Sequence, residues 1–458
     1  MFSIWWRWRD AVLGVPSAVW QATQARYNEA MHPLVLPKMG YWLFPHPLMI
    51  VSSRALPGIG IVLGCCLLAS SVCAAPLTFD QALQATLSTH PLVQGKRSAR
   101  AAAKAEREGA EWQRYPTPSI EAQTGEDNAS LLRLDQPLWT GGRITAGIDA
   151  AGSRYDAASA AISEARQELA LQVIAASSEA LRQQARQAHA RTSVGAHEKL
   201  LAMIHRRVRQ EVSPLADQRL AESRLYASVN ELSAITQALQ NALAQLSQLT
   251  GQPVEEIEQG GYLAAAQSDA LPGDLAQLID RALVYSPTLR RLHFDGQAAN
   301  ADIDSKRAAY LPQLSFRLES SHGITTDNRA LLVLLAQPGA GLSARSGVDA
   351  ALARREATRQ AEESVRRDVR QKISQDWIDW SASRTRLANA EQARTSAAEV
   401  SESYARQYTA GRKTWLDVLN AVREATQAEL ARVDAESQML AAVLRLKAQI
   451  GNLDLEER

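Results

Sequence analysis

Imidazoles are the side chains most able to act as a general base or a metal ligand near neutral pH. His189, His197 and His205 recur every eight residues in a helical stretch. Eight residues turn a helix by about 80°, so the three rings do not share a face and cannot converge on one ion. The sequence holds no His-Glu-x-x-His, no phosphate-binding loop with its lysine, and no Gly-x-Ser-x-Gly. Gly141-Gly142 is explained more simply as a strand-to-helix junction. No enzyme activity, metal or cofactor is therefore expected. The charged positions that do repeat are Asp217 and Asp417, 200 residues apart. Asp417 follows Thr414 at capping-box spacing, and Asp217 lies four residues after Ser213-Pro214, so both acids can favour the start of a helix.

The elements that carry these residues are set by composition. Of 458 residues, 50 are basic and 49 acidic, so no charge excess points to nucleic acid. Ala, Gln, Arg, Leu and Ser dominate and aromatics are only 5%, a helical composition with small side chains that let helices approach closely. The three cysteines, Cys65, Cys66 and Cys73, share one apolar stretch. The rest of the chain carries no thiol, which is consistent with export to an oxidising compartment.

Arg54, the apolar run Ala55–Val72 and the small residues to Ala75 describe a secretory signal. Cleavage after Ala74 puts Val72 and Ala74 at the small-residue positions; the competing reading is a short transmembrane anchor. Residues 1–48 hold Trp5, Trp6, Trp8, Trp20 and Trp42 and do not fit a signal. We expect 1–48 to be extraneous, with translation starting near Met49, and 49–75 to be the signal peptide. Removing 1–75 leaves the charge balance nearly neutral.

The remainder reads as one unit written twice, 76–270 and 271–458. Pro91 aligns with Pro287, Tyr115-Pro116 with Tyr310-Leu311-Pro312, Gln136-Pro137 with Gln337-Pro338, Asp217 with Asp417, and Thr250-Gly251 with Ile450-Gly451. This period is too long for a solenoid and fits a duplicated half-molecule. Each half starts with a short helix (78–87, 274–284), the first with a capping box at Thr78–Gln81. A proline break leads into a second helix (92–112, 288–309). Two short strand-like runs follow, clearest in Leu132–Asp135 and Leu314–Glu319, with turn chemistry at Gly125–Asn128 and Thr325–Asn328. Then comes a proline-free run (143–211, 345–410) of about 100 Å, too long for a compact core, and a return helix (214–249, 414–449). Leu225, Val229, Leu232, Leu239, Leu243 and Leu246 form the expected apolar stripe of the first return helix. The long helix is expected to pack on its return helix and on the 92–112 helix.

Period-2 strands with one apolar face suit either a half-buried soluble hairpin or a membrane barrel. Four strands cannot close a barrel alone, and open edges are not tolerated in lipid. If the strands span a membrane, several chains must pool them, and three would give twelve.

Tyr408-Thr409-Ala410-Gly411-Arg412-Lys413-Thr414-Trp415-Leu416-Asp417-Val418-Leu419-Asn420-Ala421 resembles the second-repeat turn of the TolC family. Gln136–Arg143 resembles that family's strand-to-long-helix junction, and the likeness runs in order through 77–453. The resemblance implies a mainly α fold with a small β part: a homotrimer with a long α-helical barrel in the periplasm and a twelve-stranded outer-membrane β-barrel, four strands per chain. It also implies a passive exit duct that works with a periplasmic adaptor and an inner-membrane ABC or proton-driven pump. The loose likeness at Gln136–Arg143 leans toward type I protein secretion, with small-molecule efflux as the alternative. An adaptor or scaffold without a pore is the reading from another class, but an adaptor needs one hairpin plus soluble β domains.

The same resemblance places a periplasmic gate at the turns 211–217 and 408–417. Tyr408 matches the tip tyrosine, Asp217 the aspartate it pairs with, and Asp417 an aspartate of the narrowest ring. Lys413 stands where Arg is frequent, Asn420 replaces a second ring acid, and Glu211 replaces a glycine, so the first turn is expected to differ. Asp417 serves equally as a cap and Tyr408 as core packing. Tyr115, Trp139 and Tyr310 flank the strands, as an interfacial girdle or as junction packing. Trp377 and Trp380 are read as packing residues.

Overall fold

A computed structural model describes residues 76–123, 129–267, 271, 273–322, 326–337, 343–453 and 455. The expected extension (1–48), signal peptide (49–75) and turn at Gly125–Asn128 lie outside these residues. Helix α1 (Phe79–Thr89) begins with the expected box: Thr78 Oγ1 accepts from the Gln81 amide at 3.2 Å, and Gln81 Oε1 accepts from the Thr78 amide at 3.1 Å. A single residue, His90, ends α1 and opens α2 (Pro91–Trp112), where proline at the first position costs no hydrogen bond. Strands β1 (Thr117–Gln123) and β2 (Ala129–Trp139) follow, then α3 (Arg143–Arg209) and α4 (Leu215–Thr250). A short helix α5 (Gln259–Gln267), not expected from the sequence, precedes the second half. That half repeats the order: α6 (Leu275–Tyr285), α7 (Pro287–Arg307), β3 (Gln313–His322), β4 (Asp327–Leu335), α8 (Ser343–Thr409) and α9 (Trp415–Ile450). The long helices α3 and α8 have 67 residues each and the return helices 36 each.

Two boundaries differ from expectation. Asp327 and Asn328, read as turn, are the first residues of β4. Strand β2 runs on through Gln136–Trp139, read as a junction, and a bulge at Pro137/Trp139 accommodates the proline.

Packing corrects the expected partners of α3. It lies against α4 and α2, as read, but it also meets α7 and α9 from the other half. Arg291 of α7 donates to Glu164 of α3 at 2.6 Å, and Arg186 of α3 donates to both Asp434 oxygens of α9 at 3.0 and 3.1 Å. The halves are thus interleaved rather than side by side. Alanines such as Ala150, Ala165, Ala170, Ala176 and Ala180 are buried along α3, and their small side chains let the helices approach closely.

The apolar stripe of α4 is also corrected. Of the six residues read as buried, only Leu246 is; Leu225, Leu232, Leu239 and Leu243 are half-buried and Val229 is exposed. The buried seam is Ala221, Ser228, Ile235, Ala242 and Leu249. It is a strict seven-residue repeat, the period of a supercoiled pair, and its small members bring α4 close to its neighbour.

At mid-length, Phe79 of α1 meets Tyr262 of α5 edge-on at 5.3 Å in a core with Leu83, Leu169, Ile174 and Leu246. Burial pushes the Tyr262 hydroxyl up to about 12. In the second half Trp377 and Trp380, 4.8 Å apart, pack against Leu278, Ala282, Ile373, Leu446 and Ile450. Gly451, at φ +82°, ends α9 under the Tyr285 ring, where a Cβ would come within 2.5 Å of ring carbon.

Candidate functional site

The four strands form one antiparallel sheet in the order β1-β2-β3-β4, so the central pair β2–β3 joins the two halves. Registers set the faces. Ile120 pairs with Leu132, Leu134 with Leu318, Phe316 with Leu332 and Leu314 with Leu334, so these apolar residues share one face. In the single chain this face is bare: Ile120 is 79% exposed and Leu332 70%. The opposite face carries Arg133, Asp135, Arg317 and Glu319. Arg317 donates to Asp135 at 2.7 Å and Arg133 to Glu319 at 3.1 Å. Leu331, Val333 and Leu335 make the β4 part of that face apolar. Among the described residues, strands β1 and β4 each leave one edge unpaired. Among the described residues no helix is long and apolar enough to cross a membrane.

The flanking aromatics gather where strands meet helices. Tyr115 precedes β1, Trp139 ends β2 and Tyr310 lies in a 3-10 turn before β3; all three are exposed. Trp112, which the sequence pattern alone does not single out, is exposed too and lies 5.3 Å from Tyr115. Its spacing of three residues from Tyr115 on a helix end is the signal that could have found it. Gly141, at φ +61°, faces Leu311, and a Cβ there would lie 2.8 Å from the leucine Cβ. The glycine pair is therefore the strand-to-helix junction expected.

At the other end of the long helices the two turns share one backbone. In the first, the Glu211 amide donates to Val208 O at 3.0 Å and the Val212 amide to Arg207 O at 2.9 Å. In the second, Gly411 and Arg412 donate to Tyr408 O and Gln407 O at 3.0 and 2.9 Å. Glu211 adopts φ +58° where Gly411 has +75°, so the glycine is replaced without changing the turn, contrary to expectation.

Asp417 completes a capping box. Its Oδ2 accepts from the Thr414 amide at 3.0 Å and from the Thr414 hydroxyl at 2.8 Å, while its own amide donates to Thr414 Oγ1. These bonds, with the Lys413 charge, hold its carboxyl below the usual aspartate value. Lys413 Nζ lies 4.2 Å from the Tyr404 ring centre. Asp217 is half-buried in the first turn of α4. Tyr408 is buried, and the Arg207 guanidinium stands 5.2 Å from its ring centre. Within one chain, no hydrogen bond among the described residues joins Tyr408 to Asp217. Arg207 was not singled out from the sequence.

The histidines take separate environments. His189 Nε2 is 3.4 Å from a Glu429 oxygen, and His205 lines an open groove with Glu222. His197 is buried, and burial together with the Arg224 charge lowers its proton affinity.

The chain thus combines a sheet with one apolar and one largely ion-paired face with two 67-residue helices and their 36-residue return helices. The sequence model of the outer membrane efflux protein family matches twice, over 82–252 and 278–452, and the chain belongs to this family. Members of this family are outer-membrane channel proteins and not enzymes. No match is found among curated protein sequences. The fold is similar to that of a membrane protein from Pseudomonas aeruginosa (21% identity, TM-score 0.73, covering 81% of this chain and 92% of that one). It is similar also to the outer membrane protein VceC from Vibrio cholerae (17%, TM-score 0.70, 81% and 96%). The open state of the MtrE outer membrane channel from Neisseria gonorrhoeae gives 16%, a TM-score of 0.65, and 81% and 88%.

Proposed function

We propose that three copies of this chain form the exit duct of a tripartite export system, passing cargo from an inner-membrane pump and its periplasmic adaptor through the outer membrane. The observation that carries this is the four-stranded sheet, with a bare apolar face and two unpaired edges. Such a sheet is stable in lipid only when edges from other copies close it. The duct supplies no energy of its own. Residues 49–75 direct export, and 76–270 and 271–458 are the duplicated units.

The turns at 211–217 and 408–417 form the periplasmic gate, with Asp217, Tyr408, Lys413 and Asp417 as its residues. Tyr115, Trp139 and Tyr310 anchor the periplasmic rim of the barrel at the lipid interface. The junction at Gln136–Arg143 favours a protein cargo delivered by an ABC exporter. A second reading, in which the cargo is a small molecule and the pump is proton-driven, agrees equally with the family description as an outer membrane efflux protein.

The test is extraction from an outer-membrane fraction. A trimer that resists detergent until heated, and that conducts in planar bilayers, is expected. A soluble periplasmic species without conductance would restore the adaptor or scaffold reading. Deleting the gene and assaying secreted protein and drug resistance side by side separates the two cargoes.

A further inference from the structure

We infer that the closed tip is latched within each chain by the Arg207 guanidinium resting on the Tyr408 ring, and that this ring face, not the phenol hydroxyl, holds the gate. The inference rests on the proposed gate and names the contact that works it.

The two helical hairpins, α3–α4 and α8–α9, are tied by polar contacts in their middle. The last of these toward the tip is the 3.2 Å bond from Thr426 to Ser193. From Ser193 to Arg207 the helix runs on for about 20 Å. Over that stretch, among the described residues, no hydrogen bond or ion pair joins one hairpin to the other. Helices α3 and α8 barely meet along their length, because α9 lies between them. The contact of Arg207 with Tyr408, 5.2 Å from guanidinium to ring centre, therefore bridges hairpins that are otherwise free of polar ties at this end.

Three observations show the contact to be built. Arg207 Nε is buried without a hydrogen-bond partner, and Arg207 makes no ion pair among the described residues, so the ring is what faces the charge. Tyr408 is 8% exposed and Arg207 half-buried, so the ring side of the contact is shielded from water, which strengthens a cation over a ring. The duplicated positions are complementary: the first half has Arg207-Val208 where the second has Gln407-Tyr408. One half supplies the cation and the other the ring, and neither half can make the contact alone.

The experiment is single-channel recording of the purified trimer in planar bilayers, with heat-stable trimer migration as the folding control. Arg207→Gln and Tyr408→Leu are each expected to raise open probability about tenfold, the change that losing about 0.5 kcal/mol in each of the three chains would give together. The double variant should open no further than either single one. Tyr408→Phe keeps the ring and should stay as closed as the parent. Arg207→Lys keeps the charge and should be closed or nearly so. Opening by Tyr408→Phe equal to that by Tyr408→Leu would overturn the latch in favour of a hydroxyl hydrogen bond. Parent channels left unaltered by Arg207→Gln would overturn it as well, while leaving the duct intact. Absence of channels from the parent and every variant would sink the duct and the latch together.

Discussion

Asp417 closes a capping box with Thr414, and mutation separates that cap from the pore role proposed for the same carboxylate. The carboxylate gives Oδ2 to the helix start and keeps its charge. Asp417→Asn removes that charge and is expected to weaken block by a trivalent cation about tenfold in planar bilayers. Thr414→Ala instead costs the cap, about 1 kcal/mol, and leaves the block in place; faster hydrogen exchange at the Asp417 amide would report it. Because folding lowers the Asp417 value below the ordinary 3.8, its stabilising contribution is present above that pH and is lost as pH falls through the lower folded value. Exchange at the tip should therefore accelerate only in acid below about pH 4. Glu211 holds a left-handed backbone that glycine would adopt without strain. Glu211→Gly should stabilise the first turn by about 1 kcal/mol, seen as slower exchange at Val212 and an unchanged fold. The box was legible in the sequence because Thr-x-x-Asp spacing is local. The turn at Glu211 was not, because residue type argued against a conformation that the hairpin imposes. Arg207 was illegible for a different reason: its ring partner is 201 positions away, and no periodicity links them.

At the level of elements, long helices were readable to within two residues, since the absence of proline and the glycines at 251, 411 and 451 mark their course and ends. Their faces were not. The leucines of α4 carry the hydrophobic signal, but burial follows a heptad of mostly small residues from Ala221 to Leu249. Hydrophobicity signals which residues avoid water; close approach of two backbones demands small ones, and leucines then line the flank. Ala242→Leu is therefore expected to overpack the seam and cost about 1–3 kcal/mol, whereas Leu239→Met should cost under about 1.5 kcal/mol. The temperature at which the trimer dissociates in detergent measures the difference. Interleaving of α7 and α9 against α3 was likewise hidden, because a repeat in sequence says nothing about which copy packs on which.

For the whole molecule, alternation in β3 displayed the two faces of the sheet, but one chain alone could not say whether the apolar face meets lipid or a soluble core. Membership of an outer-membrane family decides for lipid, and the registers then make a sharp contrast between adjacent residues. Leu332 lies on the face of Ile120, Leu132 and Phe316, while Val333, its neighbour, lies with Arg317 and Glu319. An arginine facing hydrocarbon costs about 2–4 kcal/mol near the midplane, and each trimer would carry three. Leu332→Arg should therefore abolish the heat-modifiable trimer in the outer-membrane fraction and leave the chain to periplasmic degradation. Val333→Arg places the same side chain on the opposite face, between Leu331 and Leu335 and on the side that carries Arg317 and Glu319, and should assemble normally, changing conductance rather than yield. The two variants differ by one position and not in composition, so loss of trimer in both, or in neither, would contradict the assigned faces. A one-residue slip in register would exchange the two outcomes, which makes the pair a direct reading of which side of β4 meets the membrane.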